Sequence, residues 1–104
     1  MDVMLPESVR IGPATFSVAY DPTIQDGLDG KIEYAERRIR IRPGFHDEHT
    51  WSVFMHEVMH GMLEFCCPYY QEAPDREALV EVLSLGLQQL LLDNAVIARH
   101  YLPQ

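Results

Sequence analysis

Apolar positions in the first forty or so residues alternate or come in short runs broken by turn residues, and later they recur at helical spacing. Residues 8–11 and 14–20, on either side of Gly12-Pro13, predict two short strands around a turn, closed by Asp21-Pro22. Residues 26–30 are turn-rich and predict a loop. Residues 31–34 and 38–42 flank the polar turn Ala35-Glu36-Arg37 and predict a hairpin, with Ile39 and Ile41 pointing to one side and Arg38, Arg40 and Arg42 to the other. Pro43-Gly44 ends this region, so the first half is expected to form a small antiparallel sheet of three to four strands.

A first helix is predicted to start between Asp47 and Thr50, either of which can cap it, and to end near Cys66 before Pro68. On a helical wheel Trp51, Phe54, Met55, Val58, Met59, Met62, Phe65 and Cys66 share one broad arc. His56, Glu57, His60 and Glu64 fall opposite, with Val53 and Leu63. A second helix, from about Asp75 as cap to Asp93 before Asn94, is apolar almost all the way round. Only Glu77, Glu81, Ser84 and Gln88 interrupt it, which predicts a largely buried helix whose polar stripe faces water or a polar site. One more short helix is expected within residues 95–104.

Sheet first and helices after make an α+β class, and 104 residues suit one domain with a single core. The N-terminal residues lack a basic patch followed by an apolar stretch, and no apolar run is long enough to span a bilayer. A soluble cytoplasmic protein without a membrane partner is therefore expected. A formal charge of −8 argues against a general nucleic-acid binder, because affinity for phosphate comes from clustered Lys and Arg. Arg37, Arg38, Arg40 and Arg42 are the local exception, four of the eight basic residues. They read either as a solvated strand face guarding an exposed edge or as a docking stripe for an acidic partner. Cys66 and Cys67 are adjacent, a spacing that rarely satisfies disulfide geometry; buried thiols and a reducing compartment are expected.

The residues with chemistry are His56-Glu57-Val58-Met59-His60. At helical pitch, positions i and i+4 share a face, so both imidazoles can reach one metal ion with Glu57 beside it. A catalytic zinc site needs a third protein ligand and an open position. The extended pattern H-E-x-x-H-x-x-G-x-x-H would require Gly and His where this chain has Leu63 and Cys66. Glu64 lies roughly 12 Å along the helix from His56, too far to converge, and reads as a rim residue. Two antiparallel helices joined across residues 68–74 would bring Glu77 and Glu81 near the histidines. His46, His49 and His100 read as surface histidines, the first two near enough to line a cleft.

His56-Glu57-Val58-Met59-His60, a short loop, and then Glu77-x-x-Val80-x-x-Leu83-x-x-Gly86-Leu87 resembles the gluzincin metallopeptidases. It is most similar to the very short zincin-like proteins of bacteriophages and mobile elements, and more distantly to the ImmA/IrrE type. The resemblance covers about residues 30–94 and implies a minimal zincin-like domain with one Zn2+ ion and a peptide or protein substrate. It implies His56, His60 and Glu77 as ligands, with Glu81 accepting a hydrogen bond from a ligating imidazole, or Glu81 as ligand in place of Glu77. Glu57 would be the general base. An oxyanion-stabilising His or Tyr has no obvious counterpart; Tyr69, Tyr70, His100 and Tyr101 are the candidates. An extended substrate is expected to pair with Arg38–Arg42 as the outer strand of the hairpin. Two other classes compete with a peptidase: a binding protein that keeps the metal for stability, and a metal-independent adaptor that dimerises through its leucine-rich second helix. The sequence does not fix the oligomeric state.

Overall fold

The structure, a computed structural model, describes residues 5–67 and 74–102. Strands β1 (Ser8–Ile11) and β2 (Ala14–Tyr20) pair antiparallel around Gly12, whose φ of +56° suits a residue without Cβ. Strands β3 (Gly30–Glu33) and β4 (Arg38–Ile41) form the second hairpin, with Ile32 opposite Ile39 and Glu33 opposite Arg38. Helices α1 (Asp47–Cys66), α2 (Arg76–Asp93) and α3 (Ala95–Tyr101) follow, so the architecture is α+β.

The sheet is mixed, where an antiparallel one was expected. Its order is β1-β2-β4-β3, and β2 runs parallel to β4, with Val18 beside Ile39 and Tyr20 beside Ile41. Leaving β2, the chain passes over the end of the sheet in residues 21–29, descends as the edge strand β3 and returns as β4 between them. That step spans about two strand spacings, ~10 Å, well within the reach of the loop. The inner slot thus goes to β4, whose Ile39 and Ile41 are fully buried.

The position of β4 overturns the expectation that Arg38–Arg42 is an outer strand. Its arginines are also engaged within the protein. Arg38 pairs with Glu33, and Arg40 with Asp21 at 2.7 Å and Glu33 at 2.9 Å. Arg42 donates to the carbonyls of Ile24, Gln25 and Leu28 at 2.7–3.0 Å. Arg37 takes a left-handed φ of +55° and sets its guanidinium 5.6 and 5.4 Å from the ring centroids of Phe16 and Phe65. Arg38, Arg40 and Arg42 tie the second hairpin to the crossing loop on the outer face of the sheet, whereas Arg37 lies with Phe16 and Phe65 toward the inner side.

On the inner face Ile11, Phe16, Ile39 and Ile41 meet Val53, Phe54 and Val58 of α1. The side of α1 against the sheet is therefore centred on Thr50, Val53, Phe54, Glu57 and Val58, rotated from the arc expected from apolarity. Trp51 and Met62 of that arc are exposed, whereas Glu57 is buried. The cap of α1 is His46 rather than Asp47 or Thr50, and Asp75 before α2 makes no side-chain cap bond. Helix α2 packs on α1 rather than on the sheet and buries only Val80 and Ser84, so the largely buried helix expected from its composition is not found. Among the described residues no single helix is long and apolar enough to cross a membrane.

Gly30 marks where α1 approaches the edge strand most closely: a Cβ there would lie 2.6 Å from Cγ1 of Val53, a stiff β-branched side chain. Gly30→Ala should therefore destabilise the fold by about 1–3 kcal/mol in urea unfolding. At Gly61 the nearest atoms are the mobile ends of Ile11 and Ile32, at 3.0 and 3.1 Å, and Gly61→Ala should cost less.

Candidate metal centre

The centre is built from one turn of each long helix. His56 and His60, one turn apart on α1, hold their ring centroids 4.9 Å apart and face the first turns of α2. The carboxylate of Glu77 lies between them, Oε1 at 2.9 Å from His60 Nε2 and Oε2 at 3.2 Å from His56 Nε2. One turn further along α2, Glu81 Oε2 is 2.9 Å from His56 Nδ1. A carboxylate only accepts, so the Glu81 contact needs a proton on Nδ1 and the Glu77 contact one on Nε2; a metal ion between Nε2 and Glu77 would take the place of the second proton.

This donor set fits a metal ion. Two imidazole nitrogens and a carboxylate oxygen, drawn from His56, His60 and Glu77, all lie within 4.8 Å of one another. Ligands about 2.0–2.2 Å from a tetrahedral ion stand roughly 3.3 Å apart, close to the 2.9 and 3.2 Å between the Glu77 oxygens and the two imidazoles. Glu81 occupies the outer position from which a carboxylate orients a ligating imidazole. Of the two arrangements open from sequence, the geometry brings Glu77 to both histidines and Glu81 to the far nitrogen of one.

Glu57 sits at the boundary between the sheet-facing side of α1 and the histidine stripe, only 8% exposed. Burial pushes its carboxyl up to about 7, opposed by the neighbouring His56 and by a hydrogen bond from the backbone N–H of Ile32, while the charge on Glu77 adds to the rise. Burial also moves the His60 imidazole below its ordinary value against the pull of Glu77, favouring the neutral form that ligates metals.

A cleft of about 650 Å³ opens over these groups, between β3, α1 and the start of α2. Its walls include Lys31, Tyr34 and Arg76, which sequence reasoning did not single out, and His49, whose Nε2 is 3.0 Å from Asp29 Oδ2. A clue to this wall was available in Gly30, since a strand glycine marks close approach of another element. The other expected residues lie elsewhere. His46 borders a separate surface hollow with Phe45, Asp47 and Glu48. Glu64, Arg38, Arg40 and Arg42 do not line the cleft, and His100 and Tyr101 sit exposed on α3 with their rings 4.9 Å apart. Tyr69 and Tyr70 fall outside the described residues. Cys67 is a free, half-buried thiol.

Comparison with protein-family models, with curated proteins and with solved structures finds no match to this chain.

The two carboxylates should separate by their effect on metal affinity. Titration calorimetry with Co2+ should show one site in the unaltered protein. Glu81→Gln, which loses only the bond to His56 Nδ1, should weaken it about 10–100-fold, and Glu77→Ala should weaken it further. Equal losses in the two variants would mean that both carboxylates ligate.

Proposed function

We propose that the protein is a minimal zinc-dependent metallopeptidase. The observation that carries this reading is the meeting of His56 Nε2, His60 Nε2 and the Glu77 carboxylate in a cleft that also contains the buried Glu57. The resemblance of the sequence to gluzincins supports it. His56, His60 and Glu77 would hold a zinc ion, which would supply Lewis acidity, lowering the pKa of a water toward about 7 and polarising a carbonyl. His56 and His60 would present Nε2 to the ion, and Glu81, accepting from His56 Nδ1, would orient that ring. Glu57 takes the proton from the attacking water and returns it to the departing amine. Its burial keeps bulk water away from that carboxylate, and the Ile32 N–H fixes one side of it.

The strand that offers itself to an extended substrate is β3. It is the edge strand, it lines the cleft, and the Ile32 N–H faces the site rather than β4. Lys31 and Arg76 supply positive charge at the cleft wall, the role first assigned to Arg38, Arg40 and Arg42.

One observation favours a second reading, a metal-stabilised binding protein without turnover. Neither His100 nor Tyr101 reaches the cleft, so neither stands where an oxyanion would form. In that case chelation unfolds the protein, and the metal-loaded form cuts no peptide.

Glu57→Gln separates the two. The variant should retain full zinc content by elemental analysis and lose at least about 100-fold in the rate of cleavage of an unstructured protein substrate. Unchanged cleavage would remove Glu57 from the mechanism, and no cleavage by the unaltered zinc-loaded protein would favour the binding reading.

A further inference from the structure

Helix α2 turns Val80 and Ser84 toward α1, and its far side is apolar. Leu79, Val82, Leu83 and Leu90 are 40, 68, 40 and 42% exposed there, around an exposed Gly86. Positions 79, 83, 86 and 90 step by four, three and four residues, the spacing of a seam between two packed helices. Among the described residues nothing accounts for the glycine: a Cβ at 86 would meet no atom of theirs within 4 Å, and glycine weakens a helix interior.

We propose that this face is an interface between two copies of the chain, with α2 packed antiparallel to its counterpart about a two-fold axis passing between Ser84 and Leu85. Read in opposite directions, the seam is complementary to itself. Leu79 meets the partner's Leu90, and Leu83 fills the space over the partner's Gly86. At the ends Arg76 lies opposite the partner's Asp93, and the two-fold repeats this pair of opposite charges. Parallel packing would set Gly86 against glycine, leaving a hole, and would bring like charges together at both ends.

The seam carries the exposed Leu79, Val82, Leu83 and Leu90 with Arg76 and Asp93 at its ends, so apolar contact and opposite charge together favour a second copy as its occupant. Glu77 and Glu81 lie on the opposite side of α2, so dimerisation leaves the metal centre accessible. No cation projects from the seam between Leu79 and Leu90, which argues against an anionic lipid surface as the occupant.

Sedimentation equilibrium of the full chain over a concentration series tests this directly. The unaltered protein should reach twice its 12.0 kDa chain mass. Gly86→Leu adds a better helix former in open space, so the single chain should keep its helical circular dichroism, yet it should sediment as a monomer. Asp93→Arg should weaken the dimer about tenfold or more by setting two like charges at each end, and Arg76→Asp added to it should restore association. A chain monomeric throughout the series, or a Gly86→Leu variant as dimeric as the parent, would overturn the proposal. So would flotation of the parent with phosphatidylcholine vesicles at the expense of the dimer.

Discussion

The Glu77 carboxylate faces His60 Nε2 at 2.9 Å and His56 Nε2 at 3.2 Å, and much of the helical half depends on this junction. Helix α2 reaches the rest of the protein chiefly through α1 and buries only Val80 and Ser84. Two buried side chains are a small anchor for an 18-residue helix; full burial of a valine is worth about 1.5–3 kcal/mol. The polar contacts of Glu77 and Glu81 with the histidines therefore set the height and rotation of α2 against α1. A metal at that junction would fasten the two helices together, so holding the fold and holding the site are the same task here.

The sheet supplies the fixed side of the arrangement. Its inner face is a packed layer of Ile11, Phe16, Ile39 and Ile41 against Val53, Phe54 and Val58, which fixes the rotation of α1. With that rotation set, helical geometry carries Glu57 into the seam between helix and sheet and leaves His56 and His60 on the flank. Gly30 lets the edge strand lie against Val53, and the Ile32 N–H reaches Glu57 as a result. On the outer face the arginines join Asp21, Glu33 and the loop carbonyls, holding β3 at the edge where it borders the cleft.

Local signals made the elements legible. Gly12-Pro13 marked the first hairpin, the alternation of Arg38-Ile39-Arg40-Ile41 the second, and the helices begin and end within a few residues of where the periodicity placed them. The adjacency of β2 and β4 is a non-local pairing that no hairpin signal encodes, so the mixed sheet went unread. Apolarity also misjudged the buried side of α1, because Trp51 and Met62 are apolar yet exposed while Thr50 and Glu57 are polar yet buried. For α2, composition indicated burial that a single chain does not provide. Among the candidate site residues, His56, Glu57 and His60 were legible because helical spacing aligns them, and Glu77 and Glu81 because they share the polar stripe of the next helix and match the gluzincin resemblance. Lys31, Tyr34 and Arg76 were not, since they reach the cleft only through the placement of β3 and the start of α2.

Two imidazoles and the Glu77 carboxylate are proposed to hold one divalent ion across the two helices. Zinc K-edge X-ray absorption of the zinc-loaded protein should show a four-coordinate ion with nitrogen and oxygen neighbours at about 2.0–2.1 Å and the outer-shell scattering of two imidazole rings. A shell of sulfur at about 2.3 Å, or a spectrum without imidazole scattering, would contradict it.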